Sequence, residues 1–401
     1  MKQPFVRDRF TWLAYFMLSY YAYVIGALGP AVPFLRKELS INYTVSAFYI
    51  SAFAAGMVIA GVTNAWMARR FGRPALFWGG GFLMAVCTVV LTFGRTAEVG
   101  IISVFVCGLL GSYLLVTIQS SLSELHGDNR AYALTEANVF AVLAASAAPI
   151  AVGFGESQGL TWRFAFYAAV AIWGLVFIWT RRSIKLPAVQ RPDPVTHPTA
   201  VQHDKLPRAF WAYWVVVFFA VAIEWCIVFW ASTYMETVVG LSKEAAASSV
   251  ALFTIGQFVG RAAGSRLARR FPSGNLILIA GVIVLLGFPL FWLGRIPIVN
   301  SVGLFVCGLG VANLFPLGLS LTSAMGMNNP DAASGLTSMS SGLAILLTPQ
   351  FLGIVADRTG IQNAYFIVAP LAVAILFMTF YANKLARERA ANLALSQAMS
   401  L

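Results

Sequence analysis

Three ionisable side chains stand inside long apolar runs of this chain. Glu136 lies in Thr135-Glu136-Ala137-Asn138, Glu224 in Ala222-Ile223-Glu224-Trp225, and Arg261 follows Gly260. A charged group held away from water is expensive, so each is a functional candidate. Desolvation favours the neutral form of a carboxyl. An embedded acid can therefore load and release a proton near neutral pH, which makes Glu136 and Glu224 candidate proton carriers. Either can equally be a hydrogen-bonded carboxyl packed between helices, or a counter-charge for a cationic solute. Arg261 can pair with one of these acids or meet an anionic solute.

A second layer is uncharged. Tyr20, Tyr23, Tyr113, Gln119, Asn138, Trp225, Gln257 and Asn313 carry rings and amides able to stack on or hydrogen-bond an organic molecule. Packing between helices is the other use of each, and amides in lipid need partners in either case. Other chemistries lack their parts. The cysteines Cys87, Cys107, Cys226 and Cys307 lie singly in apolar runs, and His126, His197 and His203 lie in polar connections. Neither pattern suits a disulfide framework or a metal site. There is no GxxxxGK[ST] loop for ATP, no clustered carboxylates for a divalent metal, and no HExxH or nucleophile elbow. The sequence predicts no cofactor and no enzyme.

The elements that position these residues follow from composition. The chain is 59% hydrophobic and 10% charged, against roughly a quarter charged in soluble domains. Such a chain cannot cover itself with a water-facing surface, so lipid must face it. Runs long enough to span a bilayer fall near 11–35, 44–68, 74–94, 99–123, 131–154, 161–180, 210–236, 245–268, 274–294, 298–325, 332–355 and 362–383. The first is too long for a signal peptide and is expected to be retained. Helix rise places Glu224 about 21 Å along its span, and Glu136 and Arg261 about 9 and 12 Å from the basic residues at the ends of theirs.

The net charge of +12 would suggest nucleic acid in a soluble protein, but here the bases sit between apolar runs. With both ends inside the cell, nineteen of the 27 lysines and arginines fall in cytoplasmic segments. That bias predicts an even number of spans, cytoplasmic termini and no nucleic-acid partner. Residues 182–207 hold Pro187, Pro192, Pro194, Pro198 and Pro207 and read as a polar linker. The expected organisation is a six-helix bundle over 1–181, this linker, and a second six-helix bundle over 208–401.

The two halves repeat. Phe105-Val106-Cys107-Gly108-Leu109 recurs as Phe305-Val306-Cys307-Gly308-Leu309, Ala68-Arg69-Arg70-Phe71 as Ala268-Arg269-Arg270-Phe271, and Pro149 with Gly153 as Pro349 with Gly353. All three share one offset, which argues for duplication. An even number of spans per half makes the copies parallel.

Twelve spans in a parallel 6+6 repeat with a long central connection resemble the major facilitator superfamily over the whole chain. The family's connection after the second span of each half reads roughly G-x-x-x-D-R-x-G-R-R. Here Ala65 through Arg73 and Gly264 through Pro272 keep its basic character, with Arg69 and Arg269 where the family has an acid. In the family that acid latches the inner surface. Glu124, Asp128 and Asp331 are candidates to replace it, and the arginines can instead anchor the helices at the phosphate layer. The eleventh span, through Gly342, Pro349 and Gly353 to Asp357-Arg358-Thr359-Gly360, also resembles the family. Ala148-Pro149-Ile150-Ala151-Val152-Gly153 is a degraded form of its drug-antiporter motif, and residues 101–123 lack its arginine.

The resemblance implies an all-α membrane protein of twelve transmembrane helices in two pseudo-symmetric bundles, with a cavity lined mainly by spans one, four, seven and ten. Those spans have no interior Arg or Lys to clamp a highly anionic solute. The expected function is proton-coupled secondary transport of a small neutral or cationic organic solute, as a monomer in the inner membrane. A drug or metabolite efflux antiporter is one alternative. A receptor or scaffold without transport is another.

Overall fold

The computed structural model describes residues 5–181, 206–267, 270–325 and 330–399, and among these it is all-α. Six helices form the first half: α1 (Arg9–Leu39), α2 (Tyr43–Phe71), α3 (Gly80–Phe93, entered through a π turn at Ala75–Gly79), α4 (Ala97–His126), α5 (Arg130–Ser157) and α6 (Arg163–Thr180). The second half has α7 (Arg208–Thr237), α8 (Lys243–Leu267), α9 (Ser273–Leu293), α10 (Pro297–Val311), α11 (Leu314–Met325), α12 (Pro330–Thr359), α13 (Ile361–Ala364) and α14 (Val368–Met399). Among the described residues eleven helical segments are long and apolar enough to cross a bilayer. The remaining long helix, α8, carries Gln257, Arg261 and Arg266 among glycine, alanine and serine. At 25 residues it is long enough to span. The chain is a multi-pass membrane protein.

Lipid-facing surface is plain in the side chains. Val62 and Trp179 are each 82% exposed, and Phe377, Ile178 and Leu175 nearly as much. Apolar exposure on that scale is tolerable only where hydrocarbon replaces water.

The tenth span is broken into α10 and α11 at Ala312–Asn313. Pro316 has no amide hydrogen to give the Ala312 carbonyl one turn back, so a helix interior is interrupted there.

Packing divides the described chain into two compact units. One holds α1 to α6 together with Val228–Thr254 and Pro349–Ala364. The other holds α7 up to Ile227, Ile255–Thr348 and the chain from Tyr365. Within the first unit α1 packs on α5, and α2 and α3 on α4; within the second, α9 packs on α10 and α14. The repeat is visible in backbone packing. A Cβ at Gly56 of α2 would collide with Phe105 O and Leu109 N of α4. A Cβ at Gly256 of α8 would collide with Phe305 O and Leu309 N of α10. Only glycine lets the backbones approach so closely.

Candidate functional site

In the second unit a polar strip runs through the apolar interior. Glu224 sits on α7, half-buried. Gln257 of α8, 6% exposed, donates from Nε2 to Glu224 Oε1 at 2.7 Å. Arg261 is one turn further along α8, on the same face, and acts electrostatically on Glu224. Its Nε donates to Ala312 O at 3.4 Å, the carbonyl that Pro316 leaves without its helical partner. Asn313 Nδ2 in turn donates to Gly260 O at 2.7 Å. The break between α10 and α11 is thus clamped to α8 by two residues of the strip. Buried polar groups need partners; here Gln257 and Glu224 pair with each other, and Arg261 and Asn313 take backbone carbonyls. Trp225, half-buried, follows Glu224 on α7.

Glu136 has a different setting. Arg7 grips it with two hydrogen bonds, Nε to Oε2 at 2.9 Å and Nη2 to Oε1 at 2.8 Å. The Tyr15 hydroxyl donates to Oε2 at 2.9 Å. The segment before α1 is pinned nearby. Asp8 caps α1 through Thr11 N at 2.7 Å, and the Thr11 hydroxyl meets His126 Nε2 at 2.8 Å. Glu136 is therefore a paired carboxylate. A double-mutant cycle of Arg7→Ala and Glu136→Gln, read by thermal unfolding in detergent, should give a coupling of about 0.5–1 kcal/mol, since the pair is partly exposed. No coupling would make the contact incidental.

The first-half cavity candidates lie at separate helix contacts. Tyr20 is buried with its ring toward Trp173 of α6. Tyr23 donates to Ala165 O of α6 at 3.1 Å. Tyr113 shares a hydrogen bond of 2.6 Å with Thr63 of α2. Gln119 is exposed on α4, and exposed Asn138 donates back to Leu134 O at 2.8 Å. The structure thus brings together Glu224, Gln257, Arg261 and Asn313, and distributes the rest.

At the connection after α2, Arg69 and Arg70 are exposed in the last helical turn, where cations complement the helix dipole. Glu124 of α4 is held by both terminal nitrogens of Arg73. That carboxylate raises the Arg73 pKa above its ordinary value. Arg269 lies outside the described residues, as do the side chains of Asp128 and Asp331.

Sequence reasoning missed a second polar cluster, in the first unit at the helix ends remote from Arg9. Asp357, near the end of α12, accepts from Tyr43 N at 2.8 Å, from Thr44 N at 2.9 Å and from the Thr44 hydroxyl. Gln350 donates to Thr44 O at 3.2 Å. The Arg36 guanidinium lies 3.6 Å from the Tyr43 ring centroid, and Trp230 of α7 donates to Pro349 O at 3.1 Å. The recurring glycines make equivalent contacts: a Cβ at Gly153 would meet Glu244 O and Ser248 of α8, and one at Gly353 would meet Tyr43 O of α2. The Asp357-Arg358-Thr359-Gly360 stretch was the available signal, but nothing in it named α2 as the partner.

The structure is thus a multi-pass helical protein with hydrogen-bonded charges inside its spans. The Major Facilitator Superfamily model matches residues 11–326, and the chain belongs to that family of transporters. It is 21% identical over 363 residues to an uncharacterized MFS-type transporter, YfkL, of Bacillus subtilis (strain 168), covering 87% of this chain and 90% of that protein. It is 25% identical over 353 residues to the cyanate transport protein CynX of Escherichia coli (strain K12), covering 84% and 87%. Its fold is similar to that of a bacterial homolog of the human lysosomal transporter Spinster in an inward-facing, occupied conformation. That likeness has a TM-score of 0.77 at 13% identity, over 95% of this chain and 98% of the other.

Proposed function

We propose that this protein is a proton-coupled secondary transporter that moves a small neutral or cationic organic solute by alternating access. The observation that carries the reading is Glu224, a carboxyl inside a span whose hydrogen-bond partner, Gln257, is neutral. A lone acid with a neutral donor can change protonation without breaking an ion pair. Glu224 is the coupling acid, Gln257 orients it, and Arg261 supplies the neighbouring charge while fixing the α10–α11 break. Trp225 and Asn313 contribute to the solute cavity. Glu136, held by Arg7, is the second proton candidate.

The organisation goes with the mechanism. Residues 1–181 and 208–401 are the two six-helix bundles, joined by a cytoplasmic linker over 182–207. The protein works as a monomer in the inner membrane, with both termini in the cytoplasm, as its charge bias favours. Alternating access then proceeds by rocking of one parallel half against the other.

The experiment is reconstitution into proteoliposomes with an imposed pH gradient, after a thermal-shift screen of candidate solutes. A true solute stabilises in proportion to its occupancy. Flux that follows the gradient is the expected result, and flux indifferent to it rejects proton coupling.

A second reading has its own observation. Arg261 is a cation within a span, and the cyanate transport protein is among the relatives. Both favour a small anion as the solute. Arg261→Gln should then abolish binding of small carboxylates or cyanate. Neutral or cationic hits unaffected by that change favour the first reading.

A further inference from the structure

The first turn of α2 has four backbone amides that cannot find helical partners within their own helix. Their hydrogen bonds have two distinct sources. Asn42, the N-cap, serves one: its side chain accepts from Val45 N at 2.8 Å. Two more, Tyr43 N and Thr44 N, are taken by Asp357 of α12, along with the Thr44 hydroxyl. So α2 is capped at one amide by its own sequence and at two by a residue more than three hundred positions away.

The position of Asp357 is unfavourable within its own helix. It stands in the last turns of α12, where the dipole disfavours a negative charge, whereas the N-terminus of α2 favours one. The charge is therefore stabilised by α2 and not by α12. Neighbouring contacts tie the same two helices: Gln350 bridges to Thr44 O, and Gly353 admits the Tyr43 backbone.

We infer that Asp357 is a gating residue, the clasp that holds the outer ends of α12 and α2 together and so sets how often the outer side opens. The inference rests on the alternating-access reading. Opening on that side separates α12 from α2, and in doing so exposes a carboxylate at a helix C-terminus and two amides at a helix N-terminus. Water replaces the hydrogen bonds, but not the oriented charge. Closing restores all three contacts at once. The side chain is exposed, so it bears on which state is populated more than on whether the protein folds.

The test uses the full chain with its four cysteines removed (Cys87→Ser, Cys107→Ala, Cys226→Ala, Cys307→Ala) and a reporter at Ser51→Cys, on α2 beneath the clasp and 6% exposed. A membrane-impermeant maleimide is applied from outside. Asp357→Asn should raise the labelling rate about tenfold, the scale of one charge-assisted contact network. Thr44→Val, which removes one hydroxyl, should raise it by an intermediate amount. Melting temperatures should stay within about 2 °C of the parent. Equal labelling rates in parent and variants overturn the clasp. If Asp357→Asn does not accumulate, Thr44→Val decides alone. Unchanged labelling with intact gradient-driven flux removes the clasp and leaves the transport reading. Faster labelling in a protein whose flux ignores the gradient keeps the clasp and rejects proton coupling.

Discussion

Glu224→Gln should lower gradient-driven solute flux in proteoliposomes by roughly a hundredfold, the lower end of what a positioned proton-transfer group contributes. Glutamine keeps the shape of glutamate and still accepts the Gln257 amide hydrogen, so the α7–α8 contact survives. What it loses is the proton. Counterflow, in which labelled solute exchanges for unlabelled solute without net proton movement, should therefore persist. This pairing of measurements separates coupling from binding. Loss of both would mean that Glu224 holds the solute instead of the proton. A variant that still responds to the gradient would move the coupling role to Glu136. There the expected effect is smaller, because Arg7 already fixes the charge of that carboxylate. Gln257→Leu supplies the complement. It leaves the half-buried Glu224 carboxyl in place without its donor, at a cost below the ~1–3 kcal/mol of a fully buried stranded acceptor. Proton-driven flux should fall while the carboxyl itself is intact.

The spans were legible because lipid imposes one rule on every residue of an apolar run. Glu224, Gln257, Arg261 and Asn313 were legible individually for the same reason, since each is a polar group where none is cheap. Their convergence was partly readable. Gln257 and Arg261 are one helical turn apart on one helix, so a common face follows from spacing alone. Pro316 marks the carbonyl that Arg261 takes, but nothing in sequence says which base will reach it. The partners of Glu136 and Asp357 were not legible. Arg7 is 129 positions from Glu136, and Tyr43 is 314 from Asp357. A local motif records what a residue is and not which distant helix end will face it. The aromatic and amide candidates of the first half failed to group for a related reason. Tyrosine and asparagine meet their hydrogen-bond needs at any helix contact, so their presence in a span does not select a face.

Duplication is tested most directly by the two glycines that hold equivalent helix pairs together. Gly56→Val and Gly256→Val should each destabilise the protein by about 1–3 kcal/mol or more, the range for overpacking a close contact. Both should do so by similar amounts. At either site the added carbon meets backbone atoms, Phe105 O and Leu109 N in one case and Phe305 O and Leu309 N in the other. A flexible side chain can move aside, but a helix backbone must shift as a whole. Gly61→Val is the control, because a Cβ there has nothing within 4 Å and valine is well suited to a lipid-exposed face. Thermal unfolding in one detergent, with all three variants, reads the comparison. If Gly256→Val melts with Gly61→Val while Gly56→Val falls, the two halves do not share the contact. The repeat would then lie in sequence alone. If both fall together, the same glycine performs the same task in each copy, and the offset of 200 residues between them records one ancestral helix pair used twice.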